Sequence, residues 1–90
     1  MRLASARDLG LYVRQRRQDL GKSQADLARL AGVSRRWLTA LEAGKATAEI
    51  GLVLKALAAL GVIIDAQVAV APQGDVDLDQ FLSELGSDDG

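Results

Sequence analysis

The chain has no cysteine and no histidine, a single proline, and one residue each of phenylalanine, tryptophan and tyrosine. Without cysteine there is no disulfide. Without cysteine and histidine the usual zinc ligand sets fall away, as do the Cys–His and Ser–His catalytic pairs. The longest apolar stretches fall well short of the roughly 20 residues that cross a bilayer. The opening "MRLASARDLG" has no apolar region of the kind a secretory signal carries. The chain therefore reads as soluble and cytoplasmic. It also shows no cluster of acids, no nucleophile beside a base and no phosphate-binding glycine loop. An enzyme is not expected, and no cofactor or metal is implied.

What is present is 90 residues, enough for one small domain, with 49% apolar residues to form its core. That core must come from Leu, Ala, Val and Ile, since aromatics are nearly missing. A domain of this size buries a modest fraction of its surface and gains from oligomerisation. Charge is unevenly spread. All 11 Lys and Arg lie between Arg2 and Lys55, and with six acids among them residues 1–71 carry a formal +5. The other six acids follow Pro72 and give the tail −6. A basic body suits a polyanionic partner, and a separate acidic tail suits another task.

Periodicity divides the chain further. A first helix, capped by Ser5 or Asp8, runs to Leu20 with Leu9, Val13 and Leu20 recurring at helical spacing, and Gly21 ends it. Ser23 caps a second helix and places Asp26 in its first turn, where negative charge is favoured. Leu27, Ala28 and Ala31, with Leu30 beside them, form its inward face, and Gly32 stops it. Ser34 caps a third helix that turns Leu38 and Leu41 inward and closes at Gly44. A fourth helix from about Thr47 carries Ile50, Val53, Leu54, Leu57 and Leu60 as its apolar stripe and stops at Gly61. The segment "VIIDAQVAV" then changes period. Val62, Ile64, Ala66, Val68 and Val70 alternate with Ile63, Asp65, Gln67 and Ala69, which is strand spacing.

The informative stretch is "QADLARLAGVSRRWLTALEAGK", residues 24–45. Two short helices meet there almost without a loop. Close crossing needs a small residue, met by Ala28. A sharp bend needs a positive φ, met by Gly32. Val33, Leu38 and Leu41 then pin the third helix to the core. These are the requirements of a helix-turn-helix, whose second helix projects into the DNA major groove.

Residues 8–61, and above all "SQADLARLAGVSRRWLTALEAGK", resemble the lambda-repressor/Cro-type helix-turn-helix family. The continuation "ATAEIGLVLKALAALGVIIDAQV" looks like the HipB-type antitoxins, which add a strand after the last helix. The resemblance implies a mainly α, four-to-five-helix domain that dimerises through a C-terminal β-strand and binds operator DNA. The expected division is residues 1–61 for DNA binding, 62–71 for the dimerising strand and 72–90 for an acidic, flexible tail. The implied function is a sequence-specific repressor, the autoregulating antitoxin of a toxin–antitoxin pair, bound as a homodimer to palindromic double-stranded DNA and to a kinase-like toxin. Two alternatives stand beside it: a phage-type repressor with no toxin, and a protein whose main task is inhibiting such a toxin.

Site residues follow. Ser34, Arg35, Arg36 and Thr39 project away from Leu38 and Leu41 at the start of the third helix, where base edges are read. Arg35 and Arg36 suit guanine O6 and N7, the commonest specific contact, with Ser34 or Thr39 assisting. Gln24 matches the family's glutamine at the head of the second helix, where side chain and helix N-terminus meet a phosphate. Lys45 is a further phosphate partner. Trp37 is left with two roles, packing over the fourth helix or lying along the DNA backbone. Arg17 and Glu42 match a pair that forms an inter-helix salt bridge in the family. Val62, Ile64, Val68 and Val70 are expected at the dimer interface, because a lone strand cannot satisfy its own backbone. In the tail, Leu78, Phe81, Leu82 and Leu85 line one side of a short helix. This segment reads as a partner-binding element, as a competitor for the basic face, or as a spacer.

Overall fold

The computed structural model describes residues 2–69 together with Leu82. Four helices fill the described region: α1, Ala6–Asp19; α2, Gln24–Ala31; α3, Arg35–Glu42; and α4, Ile50–Ala59. The first three start at a serine cap. The Ser5 hydroxyl accepts from the Asp8 N–H at 3.0 Å, and the Ser34 hydroxyl accepts from the Trp37 N–H at 3.0 Å. At α2 the exchange is reciprocal. Ser23 Oγ accepts from the Asp26 N–H at 3.0 Å, and Asp26 Oδ2 accepts from the Ser23 N–H at 3.2 Å. Two of the helix's orphan N-terminal donors are satisfied this way. No side chain caps α4, which starts at Ile50 after Glu49, three residues later than Thr47.

Only residues 32–34 separate α2 from α3. Gly32 turns the chain with φ 70°. Val33 then folds back, its N–H donating to the Ala28 carbonyl at 3.0 Å while its side chain packs on the core. A residue with a Cβ resists that φ, so the glycine sets the sharpness of the bend.

The core gathers Val13 from α1, Leu27 and Ala28 from α2, Leu38 and Leu41 from α3, and Val53, Leu57 and Leu60 from α4 and its end. Two apolar stripes differ from expectation. In α4 the inward residues are Val53, Ala56, Leu57 and Leu60, while Ile50 and Leu54 are 69% and 49% exposed. In α1 the inward position near the C-terminus belongs to Arg17, and Leu20 is exposed, as is Leu30 in α2. Arg16 ties α1 to α4 by donating from Nε to the Leu60 carbonyl at 3.1 Å, which satisfies one orphan acceptor at the end of that helix.

The strand expected over 62–71 is not present in the described part of this single chain. Residues 62–69 have no ladder, because no described segment lies alongside to accept and donate. Val62 is half-buried against the core, with its N–H on the Leu57 carbonyl at 2.9 Å. Beyond it Ile63, Ile64 and Val68 are exposed. Val70 lies outside the described residues, as do Leu78, Phe81 and Leu85. Leu82 is helical and exposed.

Close approach of α1 to α3 depends on Gly10. A Cβ there would meet the Leu41 carbonyl oxygen and lie 2.9 Å from the Glu42 carbonyl oxygen. Alanine normally stabilises a helix interior relative to glycine, but here it must push two backbones apart. Gly10→Ala is expected to cost about 1–3 kcal/mol, lowering Tm by roughly 4–8 °C per kcal/mol. Gly51→Ala, in α4 with nothing within 4 Å of the new methyl, should instead gain about 0.5–1 kcal/mol. Thermal unfolding followed by circular dichroism separates the two signs.

Candidate nucleic-acid interface

One side chain inside the bundle is cationic. Arg17 reaches Glu42, the last residue of α3, through two bonds: Nε to Oε2 at 2.8 Å and a terminal nitrogen to Oε1 at 2.9 Å. Its other terminal nitrogen donates to the Lys22 carbonyl at 2.8 Å. The two residues are only 9% and 8% exposed. The hydrogen bond to Glu42 raises the guanidinium pKa further, with the carboxylate charge adding to it and burial opposing. Bidentate geometry of this kind fixes orientation as well as energy. It joins α1, the α1–α2 turn and the end of α3 at one point.

Glu42 also anchors α2. Gln24 Nε2 donates to Glu42 Oε1 at 3.2 Å, and Gln24 Oε1 accepts from the Thr39 hydroxyl at 3.1 Å. A continuous chain of polar groups thus runs from Arg17 through Glu42 and Gln24 to Thr39. Gln24, expected to face a phosphate, has its oxygen and one N–H engaged within the protein. An amide nitrogen carries two hydrogens, so one donor is left for a ligand.

The outer side of α3 is open. Ser34, Arg35, Arg36 and Thr39 are exposed, and so is Lys45 just past the helix. No acid occupies the first turn of α3. The two arginines and the positive end of the helix dipole therefore act together on an anion. Among the described residues Arg35, Arg36 and Lys45 form no ion pair, the two pairs being Arg17–Glu42 and the exposed Asp26–Arg29.

The named residues fall on two sides of α3. Arg35 and Thr39 are linked, the Thr39 hydroxyl lying 2.9 Å from the Arg35 carbonyl, and Gln24 is on that side. Ser34, Arg36, Trp37 and Lys45 line a separate open groove of about 260 Å³ between α3 and the segment leading to α4. Trp37 is half-buried against the core and also lines this groove. Ala40 and Thr47 line it too, and sequence reasoning missed both. Ala40 was recoverable, since it stands one helical turn after Arg36. Thr47 is placed by an irregular segment and gives no sequence signal.

The described residues hold no helix long and apolar enough to cross a membrane, and no group of three or more His, Cys, Asp or Glu suited to a metal. What they hold is a tight bihelical unit with a basic, outward second helix. A family model described as a helix-turn-helix domain matches residues 8–71, and the chain belongs to that family, of the lambda-repressor/Cro type. A relative is the uncharacterised HTH-type transcriptional regulator y4mF of Sinorhizobium fredii (strain NBRC 101917 / NGR234). It is 45% identical over 64 residues, covering 71% of this chain and 84% of that protein. No solved structure matches the chain.

Glu42→Gln leaves the Arg17 guanidinium buried without its counter-charge, and should cost about 3–5 kcal/mol in urea unfolding. The double variant Arg17→Met, Glu42→Leu should recover most of that loss, since neither charge then remains buried.

Hydrogen bonding from the Ser23 side chain and backbone, then the Arg29 charge, hold the Asp26 carboxyl below its ordinary value of 3.8. A depressed carboxyl contributes stability that is full above the unfolded-state value and is lost as pH falls through the folded-state one. Urea midpoints measured below about pH 4 should therefore fall less steeply in Asp26→Asn than in the native chain.

Proposed function

We propose that the protein is a cytoplasmic, homodimeric, sequence-specific repressor that acts by occupying its operator and not by catalysis. One observation carries this reading. The first turns of α3 present Ser34, Arg35, Arg36 and Thr39 to solvent, while Arg17, Glu42 and Gly10 hold the other side of the helix against α1. A rigidly seated helix with free guanidinium groups at its front suits the major groove, with Arg35 and Arg36 on guanine edges. Gln24 and Lys45 take backbone phosphates, which set affinity and register. The name of the Sinorhizobium relative, a transcriptional regulator, supports the same reading.

Dimerisation is proposed through residues 62–71. Ile63, Ile64 and Val68 are exposed apolar residues on backbone with no ladder of its own. The same segment of a second copy, paired antiparallel across a two-fold axis, satisfies both. Such a dimer sets two copies of α3 about one DNA turn, ~34 Å, apart. The resemblance of residues 46–68 to the HipB-type antitoxins supports the finer reading, an autoregulating antitoxin whose other partner is a kinase-like toxin.

The test uses the full chain and the DNA upstream of its own gene. Binding should weaken steeply with salt, because Lys and Arg displace condensed counterions. Arg35→Ala and Arg36→Ala should each lose about 1–3 kcal/mol of discrimination between operator and unrelated duplex. Sedimentation of the chain truncated before Val62 should show a monomer. Native discrimination in both arginine variants would overturn the assignment of readers, and an undiminished dimer would overturn the strand.

A further inference from the structure

We infer that Thr39 reads an amino-bearing base edge, adenine N6 or cytosine N4, because the hydrogen-bond chain from Arg17 leaves its hydroxyl only lone pairs to offer; this rests on the DNA-binding reading above. A threonine hydroxyl ordinarily serves as donor or acceptor and so tolerates any base. Here its neighbours remove the choice.

The direction of each bond follows from the buried end outward. Glu42 is ion-paired to Arg17 at 2.8 Å, and an ionised carboxylate only accepts. Gln24 lies 3.2 Å from Glu42 Oε1, so the amide must turn its nitrogen to the carboxylate. The opposite orientation would set two acceptors against each other. With the nitrogen committed, Gln24 Oε1 is the atom that faces Thr39, at 3.1 Å from Oγ1. The second neighbour of that hydroxyl is the Arg35 carbonyl oxygen at 2.9 Å, again an acceptor. A hydroxyl has one proton, and both groups within reach inside the protein want it. Whichever takes it, what Thr39 has left for a ligand is acceptor capacity.

Thr39 is exposed on the same helix as Arg35 and Arg36. In the major groove an acceptor matches the amino groups of adenine and cytosine and opposes guanine O6 and thymine O4. The arginines, donors only, have the reverse preference. One half-site is thereby read with both polarities: guanine where an arginine reaches, adenine or cytosine on the strand position under Thr39. Arg17 and Glu42 are positioning residues for this choice, acting through Gln24 and Thr39 and not on DNA.

The experiment selects duplexes from a randomised library with the full native chain and, separately, with Thr39→Val, which keeps the shape of the side chain and removes its hydroxyl. The expected result is a single base pair per half-site that the native protein selects, presenting its adenine or cytosine amino group to the protein, and at which Thr39→Val accepts all four bases. In the selected duplex, replacing that adenine by purine, or that cytosine by 2-pyrimidinone, deletes the amino group alone. Native binding should then fall about five- to tenfold, and binding by Thr39→Val should not respond. No position that responds to Thr39→Val, or an equal response of both proteins to the deleted amino group, overturns the inference while leaving DNA binding intact. Failure of the native chain to enrich any duplex overturns the DNA-binding reading itself, and this inference with it.

Discussion

The buried pair of Arg17 and Glu42 is the constraint on which the rest of the molecule depends. The apolar core is small, drawn from Val13, Leu27, Leu38, Leu57 and a few neighbours, and burial of aliphatic surface has no direction. A helix of eight residues such as α3, held by Leu38 and Leu41 alone, can roll on that core at little cost. The guanidinium fork removes this freedom. It grips the end of α3 by two bonds and the α1–α2 turn by a third. An ion pair taken out of water is often no more stabilising than a well-packed apolar substitute. What it adds here is orientation, and orientation is what a base-reading helix needs.

Placement of the remaining charges follows the same logic. Asp8 and Asp26 stand in the first turns of α1 and α2, where their carboxylates accept from backbone N–H groups. Asp19 is bonded to Gln15, and Glu42 is consumed by Arg17. These acids are thus spent on helix ends and internal contacts. Arg35, Arg36 and Lys45 are left unopposed among the described residues, and the positive end of α3 lies beside the first two. The chain's formal charge of −1 hides this field, because six of its 12 acids lie after Pro72.

Local chemistry was the legible part of the sequence. Serines at 5, 23 and 34 and the glycine at 32 mark helix ends by rules that need no knowledge of the neighbours, and the helices start and stop there. Where tertiary context decides, local rules mislead. α4 is apolar nearly all round, so periodicity cannot choose among its faces, and Ile50 and Leu54 were assigned inward when they are exposed. At α1 the rule that arginine belongs outside conceals the inward place of Arg17, which only the family's pattern discloses, while Leu20, which continues the helical spacing of Leu9 and Val13, is exposed. The groove-lining Thr47 and the Lys22 carbonyl, one on an irregular segment and the other a backbone atom, carry no signature at all. The alternation in 62–69 is plain, yet an alternating pattern states only which residues share a side. It does not supply the neighbouring backbone.

That last point bears on how so small a chain reaches a stable, useful form. Ile50, Leu54, Ile63, Ile64 and Val68 are all exposed, and a domain this small gains stability when an oligomer covers such surface. Val62 shows how the segment after α4 begins to be drawn in: it is half-buried and bonded back to Leu57. From there the chain runs past an open groove lined by Leu3, Tyr12, Leu57, Val62 and Ile64. In the proposed dimer a second copy of this segment supplies the missing ladder and covers part of that surface. The free energy of burial then favours the very arrangement that fixes the distance between two copies of α3. In that dimer, stability and recognition would be coupled through one segment: whatever loosened residues 62–69 would separate the two copies of α3 as well as uncover apolar surface.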